Sequence, residues 1–251
     1  MTQPSAHART LALLGERIVA GVYGPGGAVP PEPALCEEFG VSRTVVREAI
    51  KSLVAKGLLS TGPKVGTRVL ATEQWNWFDP DVVAWHSRSG LSREFLRDLQ
   101  ELRRLMEPAA ARLAAERATA PQLAALSDAC AGMQDAVDHG GDYVQHDLAF
   151  HQGLLRASGN RLLVQMSNAL SALLRTSFEI STRKPDGPAL SMPRHRAVLD
   201  AVVARAPLRA ERACLRLIDS AQADIEQVLS SRRKLPSLRA PAARLKARPT
   251  V

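Results

Sequence analysis

The chain has 251 residues, of which 45% are hydrophobic and 23% charged, enough for one large or two smaller globular domains. No apolar run reaches the roughly 18 residues that a transmembrane helix needs, and the first ten residues lack the apolar core of a secretory signal. Three cysteines without paired spacing provide no disulfide framework, so we expect a reduced, cytoplasmic protein without a membrane partner.

The net charge of +8 is unevenly distributed along the chain. Residues 232–251 contain seven basic residues and no acidic residue, whereas residues 1–74 contain eight basic and six acidic residues. DNA binding therefore has to be judged from where the charges lie, not from their total. Residues 234–251 lack amphipathic order and are predicted to be a disordered basic tail, which would add salt-sensitive attraction to DNA or have no function.

Helix and turn signals alternate through the first 74 residues. We expect helices over residues 10–20, 32–39 and 42–56, separated by Gly- and Pro-containing breaks. Residues 58–70 contain two short β-capable stretches around a Gly-Pro-Lys turn, which predicts a hairpin. Helix–turn–helix followed by a hairpin is the layout of a winged helix, and we predict such a DNA-binding domain for residues 1–74.

The third of these helices has one apolar and one basic face. The apolar face would pack against the first two helices, and the opposite face consists of Arg43, Thr44, Arg47 and Lys51. This basic face fits the DNA major groove, where an arginine contacts either guanine O6 and N7 or a phosphate. Lys64 at the hairpin tip suits a phosphate or minor-groove contact. The alternative is an ordinary surface helix with solvated charges.

The segment VPPEPALCEEFGVSRTVVREAIKSLVAKGLLSTGPKVGTRV resembles the N-terminal domain of GntR-family transcriptional regulators. The resemblance implies that the DNA-contacting residues are Ser42, Arg43, Thr44 and Arg47, with Gly66 as the wing-tip glycine. Two positions depart from the family pattern. Pro33 replaces an arginine and removes one expected contact, and Lys64 replaces the first wing glycine and would alter the minor-groove contact.

The remainder of the chain shows helical periodicity only. Residues 75–90 hold all three tryptophans and predict a packed connector. Helices are then expected over 91–117, 120–138, 142–157, 160–183, 191–205 and 207–231. The fold class that follows is mainly α: a winged helix-turn-helix and then, over residues 91–233, an antiparallel bundle of six to seven helices that binds an effector.

Polar side chains on three of the predicted bundle helices could meet in one cavity. Asp147 and His151 share a helical face because they are four residues apart. Together with His195 they suit a divalent metal such as Zn, Ni or Mn, and Arg103 suits a carboxylate ligand. The alternatives are that Asp147 and His151 form a surface hydrogen bond and that His195 merely begins a helix after Pro193.

The order and spacing of these residues resemble the FCD domain, the ligand-binding domain of the FadR subgroup of GntR regulators. The resemblance implies a metal bound by one Asp and three His, and an effector carboxylate bound by the metal or by a nearby Arg. Asp147, His151 and His195 match the first three metal positions, and Leu217 occupies the fourth. Either three ligands bind a metal weakly, or the polar residues bind the effector directly.

Several segments, among them QWNWFDPDVVAW and MEPAAARLAAERAT, resemble the galactonate-operon repressors of this subgroup. In those repressors an aldonic sugar acid releases the protein from DNA. The resemblance implies an aldonate effector such as galactonate, bound without a required cofactor by Arg103, Asp147, His151 and His195. The alternative is a metal-dependent regulator that senses a dicarboxylate or a hydroxy acid.

Two other classes of function compete with a regulator. A hydrolytic metalloenzyme would use Asp147, His151 and His195 with an open coordination position. No general base, nucleophile motif, phosphate loop or dinucleotide fingerprint is evident, however. A helical scaffold with a vestigial winged helix would not bind DNA even at low salt. We predict a non-enzymatic repressor that binds an inverted-repeat operator as a homodimer, because one winged helix offers few contacts.

Overall fold

The computed structural model describes residues 4–231, and the predicted basic tail lies outside them. The N-terminal part contains three helices and a hairpin: α1 (Ala6–Val19), α2 (Glu32–Phe39), α3 (Arg43–Ala55), β1 (Leu59–Gly62) and β2 (Gly66–Val69). A short 3-10 helix (Thr72–Gln74) leads to α4 (Pro80–Ser89). The C-terminal part contains α5 (Arg93–Arg117), α6 (Ala120–His139), α7 (Tyr143–Ala157), α8 (Arg161–Ser181), α9 (Gly187–Val203) and α10 (Pro207–Ser231).

The N-terminal elements form a winged helix. Helix α2 has the predicted bounds, and it ends at Gly40, whose left-handed φ of 64° suits glycine. Helix α1 begins earlier than predicted because the side chain of Ser5 accepts a hydrogen bond from the backbone N–H of Ala8. The antiparallel hairpin pairs Leu59 with Val69, and Lys64 lies in its turn with a left-handed φ of 64°.

The predicted connector contains a helix, α4, which the sequence analysis did not predict. The helix begins at Pro80 because the side chain of Asp79 accepts hydrogen bonds from the backbone N–H groups of Asp81 and Val82. On one side of α4, Trp85 packs into the core of the winged helix. On another, Val83 packs into a core formed by α5, α8 and α10. Helix α4 therefore belongs to two hydrophobic cores.

The C-terminal helices form the predicted bundle, in which α5 packs on α7 and α10, and α9 packs on α6 and α10. The start of the fifth bundle helix was predicted wrongly at residue 191. Helix α9 begins at Gly187, with Pro188 in its first turn, where a missing N–H costs no helical hydrogen bond. His195 therefore lies inside a helix and does not begin one. In residues 4–231, no helix is both long and apolar enough to span a bilayer.

Candidate functional site

Helix α3 presents the predicted DNA-contacting residues at the surface. Arg43, Thr44 and Arg47 are exposed, while Val46 and three other apolar residues of α3 are buried. Ser42 caps the helix, since its side chain accepts a hydrogen bond from the backbone N–H of Val45. At the wing, Lys64 and Gly66 are also exposed. The arrangement is that of a basic helix beside a protruding hairpin.

Arg47 is held by Glu32, a residue of α2 that the sequence analysis did not identify. The Nε atom of Arg47 donates to Oε1 and Oε2 of Glu32 at 3.0 and 2.8 Å. Its terminal nitrogens form no hydrogen bond within residues 4–231, so they are available to an acceptor on DNA. No local spacing signals this pair, because its members lie on different helices and are brought together by the helix–turn–helix.

The second group of predicted site residues lies in the bundle. Helix α5 carries Arg103, α7 carries Asp147 and His151, and α9 carries His195. All four are buried, with exposed fractions between 1% and 6%. The structure thus brings together the residues that the sequence analysis grouped. The alternative that Asp147 and His151 form a surface pair is wrong.

A continuous chain of ion pairs and hydrogen bonds connects these residues, and we refer to it as the buried network. It consists of Arg103, Glu107, His151, Asp147 and His195. Arg103 Nε donates to Glu107 Oε1 at 2.7 Å, and Glu107 Oε2 lies 2.5 Å from His151 Nδ1. Oδ1 of Asp147 lies 3.2 Å from Nε2 of His151 and 3.1 Å from Nε2 of His195. The network therefore links the three helices α5, α7 and α9 through polar side chains.

The partners keep the carboxylates and one imidazole of the network charged. Burial alone would raise the pKa of Glu107, but the charges of Arg103 and His151 outweigh burial and lower this pKa to about 2. Burial also acts to raise the pKa of Asp147, and hydrogen bonds from His151 and His195 hold it well below its usual range. Burial would lower the pKa of His151, yet Glu107 and Asp147 raise it to about 9. His151 is therefore an imidazolium at neutral pH.

Glu107 is the member of the network that the sequence analysis missed. It lies four residues after Arg103 on α5, a spacing that places both side chains on one helical face. That spacing was a usable signal, since a buried arginine needs an anionic partner. By accepting from Nδ1 of His151, Glu107 also directs Nε2 of the imidazole toward Asp147.

The network borders a small cavity with a free volume of about 30 Å³, which is space for about two water molecules. Phe178 of α8 forms one wall, and the guanidinium of Arg103 lies 4.6 Å from the centre of its ring. Tyr143, Ser191 and Leu217 complete much of the lining. Burial, followed by the charge of Asp147, raises the pKa of Tyr143, so its hydroxyl stays protonated.

Three residues of the cavity offer three of the four metal ligands that the FCD pattern implies. Asp147, His151 and His195 each offer a ligand atom, and these atoms lie within 4.8 Å of one another. A bound divalent cation would supply a positive charge for carboxylate and hydroxyl oxygens of a ligand. Leu217 lines the same cavity and offers no donor. His151 would first have to lose its proton, because a metal binds the neutral imidazole.

Both halves of the chain match known families. Residues 7–69 match the family described as "Bacterial regulatory proteins, gntR family", and residues 98–220 match the FCD domain. The galactonate operon transcriptional repressor of Escherichia coli K12 is 36% identical over 228 residues, which cover 88% of this chain and 96% of the relative. The regulator LutR of Bacillus subtilis is 35% identical over 164 residues, covering 65% and 73%.

A solved structure supports the fold. The Listeria monocytogenes regulator Lar superposes with a TM-score of 0.62 at 16% identity, covering 90% of this chain and 99% of the other. The known relatives are DNA-binding transcriptional regulators and not enzymes, which excludes the hydrolase alternative. The chain belongs to the GntR family of bacterial transcriptional regulators and combines its winged helix-turn-helix with an FCD domain.

Proposed function

We propose that this regulator represses a sugar-acid catabolic operon and leaves its operator when an aldonate such as galactonate binds the bundle cavity. The observation that carries the proposal is the buried network around that cavity. Arg103 offers a cation to a carboxylate, and Asp147 and His195 offer hydrogen-bonding partners to hydroxyl groups. The similarity to a galactonate operon repressor supports this class of ligand.

The lining of the cavity suits a polyhydroxylated anion better than an apolar acid. Besides the network, the hydroxyl-bearing residues Tyr143, Thr182 and Ser191 border the free space. A ligand with several hydroxyl groups would satisfy these side chains, whereas an alkyl chain would leave buried polar groups without partners at a cost of about 1–3 kcal/mol each. The proposed effector contacts are Arg103, Asp147, His151 and His195.

Ligand binding would have to move the surrounding helices, which gives a physical route to the DNA-binding part. The cavity has space for about two water molecules, so a sugar acid enters only if its walls separate. One wall is Phe178 of α8, and two residues earlier Thr176 hydrogen-bonds to Ser87 of α4 at 2.5 Å. A shift of α8 would therefore reach α4.

Helix α4 is in turn attached to the winged helix. Lys56, at the end of α3, donates to the carboxylate of Asp79 at 2.9 Å, and Arg88 of α4 donates to Glu16 of α1 at 2.8 Å. We infer that the effector favours an arrangement in which two winged helices of a homodimer no longer match the operator half-sites. A coupling of about 1–3 kcal/mol, or a 5- to 150-fold loss of operator affinity, is typical of such regulation.

The central experiment compares two neighbouring arginines. Arg103→Ala removes the buried cation, whereas Arg104→Ala removes an exposed arginine that pairs with Asp219. Calorimetry with galactonate on chelator-treated protein should detect binding to the wild type and to Arg104→Ala but not to Arg103→Ala. In operator-binding assays Arg103→Ala should remain bound to DNA in the presence of galactonate.

Circular dichroism must show that Arg103→Ala is folded, and Arg103→Lys serves as a second variant that retains the cation. If wild-type protein bound no aldonate, the sugar-acid assignment would be wrong. If it bound galactonate without any loss of operator affinity, the release mechanism would be wrong while the ligand class would stand.

The second candidate is a metal-dependent sensor of a dicarboxylate or hydroxy acid, favoured by the three ligand atoms that lie within 4.8 Å of one another. Metal analysis of protein purified without chelator separates the two candidates. Leu217→His restores the donor that the FCD pattern expects and should increase zinc or nickel affinity strongly. Effector binding that disappears with chelator and returns with metal would favour this candidate over the metal-free one.

A further inference from the structure

A groove outside the effector cavity runs between the segment that precedes α4 and the first turns of α5. Its free volume is about 670 Å³, much more than that of the effector cavity. Its lining combines aromatic and acidic side chains, namely Trp77, Phe78, Phe95, Glu73, Glu94 and Asp98. Neither the DNA-binding face nor the effector cavity accounts for this groove.

The acidic side chains of the groove are not neutralised by neighbours. Glu73, Glu94 and Asp98 are exposed, and none of them forms an ion pair within residues 4–231. Phe78 is 46% exposed, so apolar ring surface lies beside these carboxylates. An aromatic surface next to carboxylates is complementary to arginine, whose guanidinium stacks on rings and pairs with carboxylates.

The end of α10 contacts the start of α5, the helix whose first turns border this groove. The guanidinium of Arg93, at the start of α5, donates a hydrogen bond to the backbone carbonyl of Leu229 near the end of α10. Ser92, the residue before Arg93, lines the groove. The sequence continues beyond Ser231 with Arg-Arg-Lys, the first of the seven basic residues of 232–251. Three extended residues span about 10 Å, which matches the roughly 10 Å width of a helix such as α5.

We propose that the groove binds the basic segment 232–251 of the same chain when DNA is absent. The occupant follows from charge and position together: the segment of the sequence with seven basic and no acidic residues follows directly after α10, whose end contacts the helix that borders this acidic, aromatic groove. Its arginines stack on the rings of Trp77, Phe78 or Phe95, and its basic side chains pair with Glu73, Glu94 and Asp98. The bound segment connects the end of the bundle to the connector. Its binding to the groove does not depend on which effector the regulator binds.

The test uses the full chain without DNA at low salt and a zero-length carbodiimide reagent, which joins lysine amines to carboxylates in contact. Mass spectrometry should find Lys234 joined mainly to Glu94 or Asp98. Glu73→Gln should reduce the yield of these products about two- to fivefold, the range typical of one exposed ion pair. Asp128→Asn, at an exposed position on α6, is the matched control and should leave the yield unchanged.

Three results would overturn the proposal. The first is Lys234 joined to Asp128 as often as to the groove residues, which would mean that the segment has no preferred site. The second is an unchanged yield in Glu73→Gln. The third comes from mixing protein labelled with ¹⁴N and ¹⁵N: products that join differently labelled chains would mean that a second copy, and not the same chain, occupies the groove.

Discussion

Two arginine–glutamate pairs in this protein have similar geometry and opposite surroundings. Arg47 binds Glu32 at 2.8 Å on the predicted DNA-binding face, where the arginine side chain is 62% exposed. Arg103 binds Glu107 at 2.7 Å inside the bundle, where the arginine side chain is 2% exposed. Water screens the charges of the first pair, so solvent can replace either partner at little cost. In the second pair, removing one charge would leave the other buried without compensation.

The comparison separates two uses of the same chemistry. An exposed arginine with free terminal nitrogens can leave or share its carboxylate when a phosphate or a base edge approaches. A buried arginine whose partner is joined to His151, Asp147 and beyond keeps a fixed position before any ligand arrives. We therefore expect the exposed pair to matter for DNA affinity and the buried pair to matter for folding and for effector binding.

The largest expected effect is that of Glu107→Ala. It leaves the guanidinium of Arg103 and the imidazolium of His151 buried without their carboxylate, which should lower the free energy of unfolding by about 3–5 kcal/mol. Urea denaturation followed by circular dichroism measures it. Glu107→Gln, which retains a hydrogen-bond acceptor, should cost less than the alanine variant. A loss below about 1 kcal/mol for Glu107→Ala would mean that burial makes no difference to these pairs.

The second-largest effect is expected on the affinity for operator DNA. Arg47→Ala should weaken operator binding by about 1–3 kcal/mol if the arginine contacts a base, and should leave galactonate binding unchanged. Fluorescence anisotropy with labelled operator measures the first quantity and calorimetry the second. Arg112→Ala removes an exposed arginine of the bundle and is the control. Equal operator affinity of Arg47→Ala and the control would contradict the assignment of α3 as the recognition helix.

His86, a half-buried histidine without a carboxylate partner within residues 4–231, extends the comparison. His86 of α4 lies among aromatic rings, and burial lowers its pKa from 6.5 to about 4. Its contribution to stability is thus present above pH 6.5 and is lost as the pH falls toward 4, with a slope of at most about 1.4 kcal/mol per pH unit. His86→Phe should flatten the pH dependence of the unfolding free energy between pH 4 and 6.5.

The smallest effect is expected for Glu32→Ala, the exposed counterpart of Glu107→Ala. Its loss of unfolding free energy should stay below about 1 kcal/mol, because solvent replaces the lost partner of Arg47. Operator affinity should change by a similarly small amount, since the guanidinium keeps its charge. Chemical denaturation and anisotropy measure the two quantities. A destabilisation as large as that of Glu107→Ala would remove the distinction between the two pairs.

Much of the fold could be predicted because its signals are local. Periodic apolar residues and breaks at Gly and Pro predicted the helices of the winged helix and of the bundle, and α2 has the predicted bounds. Two local errors fell at prolines: helix α4 was not predicted, and α9 was predicted to begin at residue 191. Pro80 and Pro188 each lie in the first turn of a helix, where proline is tolerated.

For the candidate site, too, the features with local signals could be predicted and those that depend on long-range contacts could not. By itself the sequence determined the residue types and their spacing: a basic face on α3, Asp147 and His151 on one face of α7, and Arg103 on another helix. Only the tertiary structure decided that Glu32 holds Arg47 and that the partner of Arg103 also binds His151. Glu32 reaches Arg47 and Glu107 reaches His151 across helix–helix contacts, and packing between distant segments leaves no periodicity in the sequence.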